Sequence, residues 1–160
     1  MLSVIVVLTL VAACGGNPAD QQANASATPA VAPAATPVAA VPTASYGYGF
    51  YNPENDGNRT WRWMGKEGTV VLPNPHTDSR LRISVGAPVD KAVLRIELNG
   101  EKLDEFQVKL GYFEKTYDVP ASKQGPYEGS NIRIAMSETT LGGGDPRQLG
   151  LRVFDVSWAQ

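Results

Sequence analysis

Cysteine and histidine each occur once in this chain of 160 residues, as Cys14 and His76. A lone cysteine excludes an intramolecular disulfide framework, and one residue of each kind excludes a Cys/His zinc site. A basic excess is also missing: fourteen Lys and Arg face sixteen Asp and Glu, for a net charge of −2. Generic nucleic-acid binding rests on such an excess and is not expected. No stretch carries the sustained stripe of an amphipathic helix. There is no nucleophile elbow, no phosphate-cradling glycine loop and no second histidine, so the expected function is non-catalytic. His76, in Pro75-His76-Thr77-Asp78-Ser79, reads as a loop histidine rather than part of a hydrolase triad.

The shortages are uneven along the chain. The first 45 residues hold no Lys, Arg, Phe, Trp or Tyr, and their one acidic residue is Asp20. They cannot build a packed core. The folding unit is therefore residues 46–160, whose charge is 14 minus 15, or −1. That length suffices for one modest core.

Residues 2–13 are almost wholly apolar, long enough for the core of a secretory signal and short for a bilayer span. They lead into Leu10-Val11-Ala12-Ala13-Cys14-Gly15-Gly16. Small residues before a Cys, then small flexible ones, resemble the bacterial lipoprotein signal. The resemblance implies that residues 1–13 are a signal peptide and that Cys14 becomes diacylated as the first mature residue. It also implies a lipid-anchored protein on the extracytoplasmic face of a bacterial membrane. The usual positive charge before the apolar run is missing, and an uncleaved anchor, or a chance Cys in a plain signal peptide, is the alternative. Residues 15–45 are rich in Ala, Pro, Thr, Asn and Gln, with Pro18, Pro29, Pro33, Pro37 and Pro42 spaced through them. Such composition predicts a disordered, semi-extended tether reaching at most ~95 Å at ~3.1 Å per residue.

From Tyr46 onward the pattern has period two, with turns between short runs. Thr60-Trp61-Arg62-Trp63-Met64 alternates, as do residues 80–85, 93–98 and 131–136, and Thr69-Val70-Val71-Leu72 is a short apolar run closed by Pro73-Asn74-Pro75. Asn99-Gly100 is a strong hairpin signal because both residues tolerate positive φ. Residues 102–110 and 112–119 follow as strands. In residues 149–158 the apolar phase changes between Val153 and Phe154, which predicts a bulge there or a strand covered on both faces. About eight strands predict an all-β, antiparallel β-sandwich, a jelly roll with its first and last strands together; an immunoglobulin-like sandwich is the alternative.

Trp61 and Trp63 share a strand face. Two such rings are expected to fill the sandwich core, with Arg62 on the opposite face; a paired-aromatic sugar platform is the other reading. Tyr46, Tyr48 and Phe50 either share one strand face or wrap the sandwich edge. Arg62, Arg82, Arg95, Arg133 and Arg152 fall in the non-core phase. They read either as a solvated ion-paired face or as a polar surface for sugar hydroxyls, carboxylates or phosphates. Asn52, Glu54, Asp56 and Asn58 form an oxygen-rich run that is a weak calcium candidate, lacking the closing Glu of an EF-hand loop. No other cofactor is expected.

Gly49-Phe50-Tyr51-Asn52-Pro53-Glu54, followed by Trp61-Arg62-Trp63-Met64-Gly65, pairs with a closing Asp145-Pro146-Arg147-Gln148-Leu149-Gly150-Leu151. Together they resemble β-sandwich accessory modules found beside bacterial glycosyltransferases and other envelope sugar enzymes, similar to galactose-binding-type jelly rolls. The resemblance implies ligand-binding candidates Tyr51, Glu54, Arg62, Asp145 and Arg147, with Arg62 pairing either Glu54 or Asp145. It implies a free-standing envelope lipoprotein that binds glycan or polyanion, or alternatively a structural subunit that binds another envelope protein.

Overall fold

The computed structural model describes residues 43–159. The signal segment, Cys14 and the tether of residues 15–45, but for its last three residues, lie outside them. Twelve strands run in chain order: β1 Ser45–Tyr46, β2 Phe50–Asn55, β3 Thr60–Met64, β4 Glu67–Pro73, β5 Ser79–Ala87 and β6 Val93–Leu98. Then come β7 Glu101–Gln107, β8 Gly111–Val119, β9 Gly129–Met136, β10 Thr140–Leu141, β11 Gln148–Leu149 and β12 Leu151–Ala159.

Sheet I has the order β1-β4-β9-β6-β7 and sheet II the order β2-β3-β12-β5-β8, with every pairing antiparallel. Setting aside the opening edge strands β1 and β2 and the short β10 and β11, and counting β3 to β9 and β12 as first to eighth, gives first-eighth-third-sixth in sheet II. Sheet I then reads second-seventh-fourth-fifth. This is jelly-roll topology, with the first and eighth of these strands, β3 and β12, side by side.

The core lies between the sheets and follows the alternation of the strands. Leu81, Ile83 and Val85 of β5 pack with Leu94, Ile96 and Leu98 of β6 and with Ile132, Ile134 and Met136 of β9. Asn99 and Gly100 both have positive φ, 52° and 86°, and turn β6 into β7. The register of β12 against β5 shifts between Val153 and Asp155. The bulge predicted from the change of phase is therefore present. It turns Phe154 outward while Val153 and Val156 stay in the core.

The aromatic run at the start of the domain wraps the edge. Tyr46 belongs to sheet I and Phe50 to sheet II, and their rings meet edge to face at 5.0 Å against the core. Gly49, at φ 83°, makes the crossing: a Cβ there would lie 1.8 Å from the Glu67 carbonyl oxygen.

Polar groups buried at one end are paired. Gln124 accepts from the His76 backbone N–H at 3.1 Å and donates to the Thr77 carbonyl at 2.6 Å. Its own carbonyl accepts from Asn74 and from Ser130, both at 2.9 Å. His76 thus serves this loop through its backbone.

Candidate functional site

The register of β3 against β12 sets which face each residue of β3 occupies. Met64 lies opposite Leu151, Arg62 opposite Val153, and Trp63 opposite Arg152. Leu151, Val153 and Met64 are fully buried between the sheets. Arg62 therefore shares the inner phase, and Trp61 and Trp63 share the outer one. This reverses the expected direction of the two Trp and of Arg62, although Trp63 is itself buried, at 9% exposure, against Arg152. The physical reason is that β3 offers an apolar choice in either phase. The inward phase of β12 admits Met64 and places the larger rings outside.

Arg62 sits at the sandwich edge. Its guanidinium lies 5.2 Å from the centre of the Tyr46 ring and donates to the Tyr51 carbonyl at 3.3 Å. It pairs with neither Glu54 nor Asp145. Both carboxylates go to Arg147, which donates through Nη1 to Glu54 at 2.7 Å and through Nη2 to Asp145 at 2.6 Å. Arg147 Nε meets both Asp145 oxygens at 3.0 Å, and the guanidinium lies 5.0 Å from the centre of the Tyr51 ring. Hydrogen bonds from the Arg147 side chain, then its backbone N–H, hold the Asp145 carboxyl below its ordinary range. Asp145 first, and Glu54 second, hold the guanidinium above its own.

Tyr51, Glu54, Asp145 and Arg147 thus come together, and their charges are spent on one another. Arg147 ties β2 to the segment before β12. The motif glycines meet beside this clamp. The Gly65 N–H donates to the Gly49 carbonyl at 2.9 Å, and a Cβ on Gly150 would lie 2.1 Å from the Gly65 carbonyl oxygen. The opening and closing motifs are therefore two sides of one backbone contact.

The oxygen-rich run is used by the turn between β2 and β3. Asp56 accepts from the backbone N–H groups of Asn58 and Arg59 at 2.9 and 2.8 Å, and Asn55 accepts from Gly57. These bonds to Asp56 pull its carboxyl below the ordinary range, Arg59 first. Among the described residues no three His, Cys, Asp or Glu gather as a metal site.

The outer face of sheet II carries the most distinctive surface. Arg152 lies 4.9 Å from the centre of the Trp61 ring and 4.8 Å from that of Trp63. Trp61 meets Phe154 edge to face at 6.3 Å, and Phe154 meets Tyr112 at 5.7 Å. Arg59, from the β2–β3 turn, lies 5.6 Å from the centre of the Tyr112 ring and 5.9 Å from that of Phe154. Ser84 donates to the Tyr112 hydroxyl at 3.0 Å. A hollow of about 330 Å³ opens among Arg59, Thr60, Ser84, Tyr112 and Phe154. Two buried donors of this stack, Trp61 Nε1 and Arg152 Nε, have no hydrogen-bond partner among the described residues.

Sequence reasoning placed Arg152 on a polar face but missed Arg59, Tyr112 and Phe154 as its neighbours. The usable signal was the change of phase at Val153 and Phe154, because a bulge that turns a Phe outward needs something to cover it. A larger cleft of about 1130 Å³, where the chain enters the domain, is lined in part by Ala44, Tyr46, Asn74, Asp118 and Trp158. It contains none of the five ligand-binding candidates.

No protein-family model matches the chain, and no curated protein matches it. Several solved structures share part of its trace. One is an active-site mutant of a family two carbohydrate esterase from Clostridium thermocellum, at 13% identity and TM-score 0.43, covering 74% of this chain. The chain spans 32% of that esterase. Another is a family 35 carbohydrate-binding module from an environmental isolate, at 8% identity and TM-score 0.45, covering 70% of this chain and 87% of that one. A third is the carbohydrate-binding module CBM36 in complex with calcium and xylotriose, at 7% identity and TM-score 0.42, covering 73% and 99%. The jelly-roll assignment follows from the strand order, which stands without these likenesses.

Proposed function

We propose that this chain is a non-catalytic envelope lipoprotein displaying a carbohydrate- or polyanion-binding jelly roll. The observation that carries the reading is the outer face of sheet II. Trp61, Phe154 and Tyr112 meet edge to face there, the buried Trp63 joins them through Arg152, and two guanidinium groups lie over the rings. Aromatic rings and planar donors on a rigid sheet suit a polyhydroxylated or anionic chain. Sheet I contrasts with it. Its outer face is closed by mutual ion pairs, with Glu97 held by Arg95 at 2.7 Å and by Arg133 at 3.1 Å.

The lipid anchor rests on Cys14 and its small neighbours, and on a spacer suited to holding a domain clear of a membrane. Membrane fractionation and mass spectrometry of wild type and Cys14→Ser test it. Wild type should carry a lipid and sediment with membranes, and Cys14→Ser should not. A soluble, unmodified wild type overturns the anchoring.

Binding is tested with the full-length protein on a glycan array and in pull-downs from envelope polysaccharide, alongside Tyr112→Ala. Wild type should retain a glycan that Tyr112→Ala loses at an unchanged melting temperature. Repeating the array with EDTA reports any calcium held through Asn52, Glu54, Asp56 and Asn58. If no glycan is retained and an envelope protein is captured instead, the assembly-subunit reading replaces this one.

A further inference from the structure

We infer that the face around Arg59 and Arg152 selects acidic polysaccharide, recognising sugar carboxylates through guanidinium groups that the fold leaves without anionic partners. This rests on the glycan-binding reading above and narrows its ligand.

Arg82, Arg95, Arg133 and Arg147 each lie within ion-pair distance of a carboxylate, whereas no carboxylate of the described residues lies within that distance of Arg59 or Arg152. The two guanidinium groups rest instead on rings, on either side of the Trp61–Phe154 pair. Contact with a ring engages the face of a guanidinium and does not use up the donors along its edge. A carboxylate is the acceptor that matches such an edge with two parallel hydrogen bonds.

A neutral sugar stacks on bare ring faces. Here each of the four rings already carries a guanidinium over it, so the layer offered to an arriving chain is cationic. The unpartnered Arg152 Nε and Trp61 Nε1 lie in the same stack. Both atoms are covered by neighbouring side chains, so only an acceptor that enters between those side chains would satisfy them. Beside them the linked hydroxyls of Ser84 and Tyr112 supply partners for sugar hydroxyls.

The same face also carries Asp155, paired with Arg82, and Glu114 beside the Tyr112 hydroxyl. Those carboxylates oppose a densely charged strand such as a nucleic acid. They suit a polymer whose charges are separated by hydroxyl-bearing rings.

The test is affinity electrophoresis of the full-length protein in neutral detergent. The gels contain polygalacturonate, or the same polymer with its carboxyl groups reduced to alcohols. The acidic polymer should retard wild type, less at high salt, and the reduced polymer should not. Arg59→Gln and Arg152→Gln should each weaken retention by about tenfold. Arg152→Lys, which keeps the charge without the fork, should fall between Arg152→Gln and wild type. Arg59 is exposed, so if Arg152→Gln fails to fold, Arg59→Gln decides alone. Equal retention by the reduced polymer overturns the inference, as does wild-type retention in Arg59→Gln. If neutral glycans bind on the array without preference for acid, only this inference falls. If no glycan binds at all, the parent reading falls with it.

Discussion

Truncating Met64 and Trp61 separately tests which face of β3 points inward, and the proposed binding face depends on the answer. Met64 is fully buried, and its side chain already lies against Gly68, where an added Cβ would sit 2.9 Å from Met64 Cγ. Met64→Ala removes three non-hydrogen atoms from a site with little room to collapse. At ~0.8 kcal/mol per buried group the transfer loss is about 2.4 kcal/mol, and the cavity raises it to ~3–5 kcal/mol. For a domain of this size that lowers the melting temperature by roughly 10–20 °C. Trp61 lies outside the core cluster and is half-buried against Arg152 and Phe154. Trp61→Ala should cost only ~1–2 kcal/mol, the stacking contacts and part of the ring's buried area. A Trp inside the sandwich would cost ~3–5 kcal/mol. Parallel thermal melts and urea titrations read both variants. If Trp61→Ala falls as far as Met64→Ala, the Trp belong to the core, and the outer aromatic face does not exist as described.

Three further outcomes are expected. Gly150→Ala drives a Cβ into the Gly65 carbonyl and should cost about 3 kcal/mol or more, while Gly143→Ala, with open space around it, should stay within about 0.5 kcal/mol. Equal melts for the two would refute the glycine contact. Gln124→Met removes the buried side chain that bonds the His76 N–H and the Thr77 carbonyl, both of exposed loop residues, and should cost roughly 1–2 kcal/mol in urea unfolding; a loss below about 0.3 kcal/mol would show that the network does not form. Because Arg147 depresses the Asp145 carboxyl, that pairing contributes stability above the ordinary Asp range, and the contribution is lost as pH falls through the folded-state value. Wild type should therefore lose more melting temperature than Arg147→Ala between pH 5 and pH 3, and parallel acid melts would refute the clamp.

Much of the architecture was legible before any coordinates. Alternating Leu81, Ile83 and Val85, and the same pattern in residues 93–98 and 131–136, require half-buried strands, because period two leaves no helical stripe to bury. Asn99-Gly100 marked its hairpin through the positive φ that both residues accept. The change of phase at Val153 and Phe154 marked its bulge, since one extra residue is the simplest way to keep Val153 and Val156 on one face. The short motifs grouped Tyr51, Glu54, Arg62, Asp145 and Arg147, of which all but Arg62 meet in one clamp. Three things lay beyond local pattern. A five-residue strand with Trp61 and Trp63 in one phase and Met64 in the other has no preferred inside until a neighbour imposes one, and Leu151 and Val153 of β12 do so. The motifs pointed to Arg62 as the partner of Glu54 or Asp145, whereas Arg147 takes both, reaching Glu54 across 93 residues of sequence. The meeting of Arg59, Tyr112, Arg152 and Phe154 comes from strand order, which places β12 between β3 and β5. Alternation tells each residue which side of its own strand it occupies. Only long-range pairing tells which strands become neighbours, and so which side chains can share a surface.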